Sequence, residues 1–240
     1  MIKLLRKLHW AWCLFCLLLF FVLFLPFYYW FTKHPRYYGI LNKFRTAHSF
    51  LASALSGIFF NFKFEKRLDK NQTYIFCANH TSNFDIIIFC ILAKGRYHFM
   101  GKEELTKNPI LGIFFKTIDI AVSRESKISS FRAFKKAAEN LENGMSLIIF
   151  PEGKIDDAYP PVLQDFKAGP FRLAIEKNIP IVPVSIVNLW KVMWDDGAKY
   201  GTRPGIIDVY VHEPILTSIL AVENDEVLKN EVYKRINSKL

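Results

Sequence analysis

Between His9 and Lys33 the chain runs for 23 residues, Trp10 to Thr32, without one charged side chain. As a helix rising about 1.5 Å per residue, that stretch reaches about 34 Å, close to the hydrocarbon thickness of a bilayer. Trp10, Trp12, Tyr28, Tyr29 and Trp30 mark its ends, where amphipathic rings settle at the membrane–water boundary. A cleavable signal peptide fits poorly, because the stretch is long and no small-residue cleavage site follows it. A buried core helix rarely needs so pure a run. The pattern predicts a membrane-embedded apolar helix over 10–32, kinked or divided at Pro26. Lys3, Arg6 and Lys7 precede it, and Lys33, Arg36, Lys43 and Arg45 follow it. Basic residues on both flanks give no single orientation, and a re-entrant hairpin would keep both on the cytoplasmic side. A second apolar stretch, Phe50 to Phe62, is too short to span and predicts an interfacial helix on the same membrane. Residues 1–62 are therefore expected to form an anchor, and residues 63–240 the folded body.

The charges follow the same division. The formal net charge is +10, and eleven of the 32 basic but only two of the 22 acidic residues lie in residues 1–70. The remaining 170 residues carry 21 basic and 20 acidic side chains, so the body is nearly neutral. Nucleic acid as a partner would require a basic face on the body, and the charge placement excludes it. The basic flanks suit anionic headgroups instead. Hydrophobic residues at 51% exclude intrinsic disorder. Four cysteines cannot build a disulfide framework. Cys13 and Cys16 have metal-like spacing but no further ligands, so they read as small hydrophobes in the apolar helix. No metal site is expected.

From about Asn71 short apolar runs alternate with helical stretches. Strands are predicted over Tyr74–Cys77, Thr117–Val122, Ser146–Phe150, Ile181–Val187 and Ile206–Val211. Helices are predicted over Phe84–Leu92, Pro170–Lys177 and Glu223–Leu240. Ile128, Phe131, Phe134, Ala138 and Leu141 recur at helical spacing and predict another, with Gly144 where a C-terminal cap belongs. This alternation implies an α/β fold: a single sandwich domain with a largely parallel central sheet flanked by helices, preceded by the membrane-embedded segment.

Four clusters could carry chemistry. Asn79-His80-Thr81-Ser82-Asn83-Phe84-Asp85 follows a strand and opens a helix. With His80 just before the helix and Asp85 one turn in, the carboxylate can fix one imidazole nitrogen and leave the other as a base for a hydroxyl proton. Free N–H groups at a helix start near Ser82 would also suit an anion. The same residues read equally as an Asn/Ser capping cluster with a bystander histidine. Phe150-Pro151-Glu152-Gly153 closes a buried strand, where open α/β sheets collect ligands, although Pro and Gly end strands generally. Arg124 directly follows another strand and could grip a phosphate through two N–H donors, or be merely solvated. Lys102 is similar and less specific. Ile179-Pro180-Ile181-Val182-Pro183-Val184 reads as a structural strand start.

Taken together and in this order, these segments resemble the glycerolipid acyltransferase family, most closely the bacterial 1-acyl-sn-glycerol-3-phosphate acyltransferases. The resemblance covers about residues 65–215 and includes Asp165-Phe166-Lys167-Ala168-Gly169 and His212-Glu213-Pro214-Ile215. It implies acyl transfer to the sn-2 hydroxyl of lysophosphatidic acid, giving phosphatidic acid in phospholipid biosynthesis. His80 would be the general base and Asp85 its orienting partner. Arg124 and Lys102 would hold the acceptor phosphate, and Glu152 with Gly153 would position the acceptor. The acyl group would arrive as a thioester of acyl carrier protein or coenzyme A, a co-substrate, with no bound cofactor. The resemblance also implies a cell (inner) membrane protein whose catalytic domain faces the cytoplasm. The same resemblance implies direct transfer without an acyl-enzyme, and the sequence agrees: it holds no Gly-x-Ser-x-Gly elbow, and Cys77 and Cys90 lie in apolar runs.

One departure concerns the acceptor. Many family members follow this Phe-Pro-Glu-Gly with Thr or Ser, often then an Arg; here Lys154, Ile155, Asp156 and Asp157 follow. Lys154 restores a cation near the expected phosphate site. It also leaves a lyso-aminolipid acceptor open. A membrane-bound lipid hydrolase, with the His80–Asp85 pair activating water, is the alternative of another class.

Overall fold

The computed structural model describes every residue except 124–125, 157, 195–196 and 219–221. Its first element is α1 (Ile2–Phe31), one continuous helix that runs through Pro26 and is long and apolar enough to cross a membrane. Only 17% of its most apolar window is buried. A turn leads into α2 (Tyr38–Leu55), which runs back along α1: Tyr28 Oη meets His48 Nδ1 at 2.9 Å, and Trp12 Nε1 donates to the Leu55 carbonyl at 3.1 Å. The two helices thus form an antiparallel hairpin. Much of its outer surface is bare, including Leu18, Val22, Leu23 and Phe50. An apolar patch of this extent suits lipid contact better than water.

The expected interfacial helix over 50–62 is not formed. Phe50–Leu55 end α2, Gly57 turns the chain with φ +68°, and β1 (Ile58–Phe64) follows. Gly57 takes the left-handed backbone region, which other residues rarely adopt. After it, Phe60 and Phe62 alternate with Phe59, Asn61 and Lys63, and the phenylalanines of the first set pack on the core. That is strand periodicity, not helix periodicity. β1 runs across the division expected at 62/63.

The remaining elements in chain order are β2 (Ile75–Ala78), α3 (Asp85–Leu92), β3 (Tyr97–Lys102), α4 (Gly112–Phe115), β4 (Ile120–Val122), α5 (Lys127–Glu142) and β5 (Ser146–Ile149). Then come α6 (Gly169–Glu176), β6 (Ile181–Ile186), α7 (Leu189–Val192), β7 (Gly205–Val211) and α8 (Asp225–Asn237). Among the described residues the strands form one seven-stranded sheet in the order β1-β7-β6-β2-β5-β3-β4. β6, β2, β5, β3 and β4 are mutually parallel; β7 is antiparallel to β6 and carries β1 parallel to itself. The central strands β2, β5 and β6 are buried throughout, as parallel strands covered on both faces must be.

Period-two alternation divides the core. Phe76 and Ala78 of β2 face one side, with α3 and Cys13 of α1; Ile75 and Cys77 face the other, with α5, α6 and α8. The buried stripe of α5 is Ala133, Ala137 and Leu141. This corrects the expected face, because Ile128 and Phe131 point to solvent at 66% and 71% exposure. The small alanines let α5 approach the sheet closely, which leaves the larger side chains outside.

α2 is fastened to the sheet by a buried ion pair. Arg45 donates to Asp119 through two bonds, Nη2 to Oδ2 at 2.9 Å and Nη1 to Oδ1 at 3.2 Å. Asp119 Oδ1 also accepts from the Phe99 N–H of β3 at 2.9 Å. The guanidinium lies 4.7–5.3 Å from the ring centres of Phe114, Phe99 and Tyr97. Both side chains are almost wholly buried. Removing one partner strands the other charge, so Asp119→Ala should lose about 3–5 kcal/mol of stability. Urea unfolding in detergent micelles checks this, and Arg45→Met with Asp119→Leu should restore much of the loss.

Candidate active site

The parallel strands β2, β3, β4 and β5 end at the same edge of the sheet. Asn79–Asp85 follows β2, Phe150–Gly153 follows β5 and Lys102 is the last residue of β3, whereas Ile179–Val184 enters β6 at the opposite edge. Asn79 leaves β2 and closes the neighbouring gap to β6: its amide donates to the Ile186 carbonyl at 3.0 Å and accepts from the Ile186 N–H at 2.7 Å. His80 follows, and its Nδ1 lies 2.7 Å from Asp85 Oδ2. The same oxygen accepts from the Thr81 and Ser82 N–H groups at 3.0 and 3.1 Å. Of the N–H groups at this turn, expected to be free for an anion, those of Thr81 and Ser82 are filled by the chain's own carboxylate and that of Phe84 by Ser82 Oγ. An ionised Asp85 accepts a hydrogen bond from the Nδ1–H, which fixes that tautomer and leaves His80 Nε2 as the basic nitrogen. Full burial raises the Asp85 carboxyl above its ordinary value, while the bonds from His80, Ser82 and Thr81 work the other way.

Phe150, the residue after β5, stacks flat on His80 with ring centres 4.2 Å apart and 14° between planes. Between this ring and Asp85 the imidazole has little freedom. Glu152 then braces the turn from behind. Its Oε1 accepts from the His80 N–H at 2.7 Å and its Oε2 from the Gln164 N–H at 2.8 Å. The carboxylate is buried and committed to the main chain. Gly153 adopts φ +74°, and a Cβ there would come 2.9 Å from Lys167 Cε.

His80, Phe150, Gly153, Lys154 and Lys102 line one cavity of about 310 Å³. It shares Asn83, Ile86, Lys102 and Leu105 with a second, mostly apolar cavity of about 590 Å³ that extends between α3 and the α1–α2 hairpin to Leu14, Leu17 and His48. A polar chamber holding a base and two lysines thus opens into space for a long apolar chain. Arg124 lies outside the described residues. Among the described residues no group of three or more metal-ligating side chains occurs.

The acyltransferase family model matches residues 59–187, more than half of the chain. The chain belongs to the acyltransferase family. This acyltransferase is similar to an uncharacterized acyltransferase of Schizosaccharomyces pombe, 26% identical over 85% of this chain and 74% of that one. It is 29% identical to the 1-acyl-sn-glycerol-3-phosphate acyltransferase of Haemophilus influenzae, over 58% of this chain and 61% of that one. Its fold matches the crystal structure of the 1-acyl-sn-glycerophosphate acyltransferase PlsC of Thermotoga maritima, with a TM-score of 0.81, 21% identity and coverage of 99% and 95% of the two chains.

In this acyltransferase the expected site residues His80, Lys102, Gly153 and Lys154 share one chamber, with Asp85 bonded to His80. Glu152 is placed differently from an acceptor contact, since both its oxygens hold main-chain N–H groups. Phe150 and Asn79 went unassigned in the sequence. Both stand inside the motifs that carry the resemblance, which is the signal that could have found them.

Burial pushes the Glu152 carboxyl up from an ordinary value near 4.5 to about 7, against the two N–H bonds that favour its charge. Below pH 4.5 the group is protonated in both folded and unfolded chains, and its contribution to stability is complete. As pH rises toward about 7 the unfolded chain ionises first, and that contribution is lost. Stability of the parent should therefore fall across this window more steeply than that of Glu152→Gln, measured by urea titrations at a series of pH values.

Proposed function

We propose that this acyltransferase moves a fatty acyl group from a thioester to the free hydroxyl of 1-acyl-sn-glycerol-3-phosphate, giving phosphatidic acid. The observation that carries this reading is the His80 Nδ1–Asp85 Oδ2 bond at 2.7 Å, in a chamber with two lysines that opens into an apolar cavity. The printed activity of the Haemophilus relative supports it.

His80 Nε2 takes the proton of the acceptor hydroxyl as its oxygen attacks the thioester carbonyl. The C–O bond forms, the tetrahedral adduct collapses, and the C–S bond breaks. The departing thiolate then takes the proton from the imidazolium, which Asp85 has stabilised meanwhile. No acyl-enzyme is needed. Lys102 and Lys154, with Arg124, hold the acceptor phosphate, and Glu152 keeps the His80 turn and the Gly153 loop in register. The apolar cavity takes an acyl chain.

The α1–α2 hairpin is the membrane anchor of the catalytic body. Contacts along α1 bind it to that body, from His9 bonded to Ser56 and Thr202 to Tyr28 edge-on to Phe114. Basic residues stand at both ends of α1, at Lys3, Arg6 and Lys7 and at Lys33 and Arg36. This arrangement keeps the charges at headgroup level and the chamber at the membrane surface, on the cytoplasmic side.

Membrane-reconstituted protein with lysophosphatidic acid and an acyl-coenzyme A donor should form phosphatidic acid. His80→Ala should lower the rate by about 10²–10⁴-fold with folding and membrane binding unchanged. Near-parental activity would sink the base assignment, and free fatty acid as the product would indicate hydrolysis. Lys102→Ala and Arg124→Ala should raise the acceptor KM more than the donor KM. Equal effects on both count against phosphate binding, and faster turnover of a lyso-aminolipid would reassign the acceptor.

A further inference from the structure

α5 leaves two large apolar side chains in solvent within a basic surface. Ile128 is 66% and Phe131 71% exposed. Lys127, Arg132 and Lys135 are exposed around them and form no ion pair among the described residues. Lys136 reaches Glu139 only at 3.8 Å. The first ten residues of α5, 127–136, contain four basic side chains and no acidic one. Lys127, Phe131 and Lys135 stand four residues apart, with Ile128 and Arg132 in the adjoining row, so all five share one helix face. Solvation accounts for a row of lysines but not for a bare phenylalanine in the middle of it. An apolar centre inside a charged rim is the make-up of a protein-docking patch.

The position of this face selects its occupant. α5 packs with α6 and α8 on one side of the sheet, whereas α1 and α3 contribute to the core on the other. The basic face is therefore across the sheet from the apolar hairpin. It is also close to the chamber: β4, which feeds α5, sets Val122 opposite Lys102, and Lys102 lines the His80 cavity. A partner on the first turns of α5 is therefore on the side of the sheet away from the hairpin, next to the strand ends that lead to the chamber.

We propose that this face of α5 docks an acidic protein that carries the acyl thioester to the His80 chamber. The inference rests on the acyl-transfer reading above and extends it to the carrier of the donor. Charge complementarity steers such a partner to the rim, and Phe131 with Ile128 supplies the dry contact that holds it.

The experiment uses the full chain in phospholipid nanodiscs with lysophosphatidic acid and two donors in parallel, palmitoyl-acyl carrier protein and palmitoyl-coenzyme A. In Lys127→Glu/Arg132→Glu/Lys135→Glu, and separately in Phe131→Ser, the KM for the protein-borne donor should rise by about tenfold or more, while kcat/KM for the coenzyme A donor stays within about twofold. The parental rate with the protein-borne donor should also fall as salt is added. Equal losses with both donors would overturn the proposal. So would use of coenzyme A alone by the parent, or a charge-reversed protein that no longer binds anionic vesicles, which would assign the face to lipid. A parent that makes phosphatidic acid from neither donor overturns the acyl-transfer reading itself.

Discussion

One oxygen of Asp85 carries three donors: the His80 imidazole and the Thr81 and Ser82 N–H groups. Much of the site follows from that. The carboxylate is the first residue of α3, and it satisfies N–H groups that the strand-to-helix turn would otherwise leave open. In doing so it draws the turn closed and aims the imbedded ring of His80, which Phe150 then confines from its other side. A single ionised group thus shapes the backbone, selects the tautomer and stabilises the imidazolium formed when His80 takes a proton. The three bonds on Oδ2 offset part of the cost of burying the charge, while Oδ1 is buried with no partner among the described residues.

The sheet turns that local device into an active site. Parallel pairing brings the ends of β2, β5, β3 and β4 to one edge, so residues far apart in the chain meet there. Glu152 joins two of those ends through main-chain N–H groups of His80 and Gln164, and acts as a brace. On the hairpin side the Arg45–Asp119 pair fastens α2 to β3 and β4. Because α1 and α2 wall the apolar cavity, a rigid attachment of the hairpin also keeps that cavity in line with His80.

Much of this could be read in advance where local chemistry dominates. The largely apolar runs of β2, β5 and β6 announce buried parallel strands, and His80 and Asp85 are near enough in sequence for a turn to join them. Reading failed where a distant partner decides. Ile58–Phe62 continues the apolar stretch that begins at Phe50; it is part of a strand because β7 offers it an edge. Ile128 and Phe131 fall at helical spacing with Leu141, yet the alanine stripe won the core because it packs more closely on the sheet. β3 shows little alternation, since Tyr97, His98, Phe99 and Met100 are all buried between neighbours.

By itself, then, the sequence determined the apolar helix, the near-neutral α/β body, and the motifs in which a base, its carboxylate and several cations stand. These are consequences of hydropathy, periodicity and short spacing, which need no distant contact. Tertiary structure alone decided that Glu152 is a brace, that Asp85 occupies the N–H groups expected for an anion, and that a polar chamber meets an apolar one. It also decided that α5 turns a basic, partly apolar face to solvent. Each of these depends on which strand ends are neighbours and which helix face lies nearest the sheet, and long-range packing sets both.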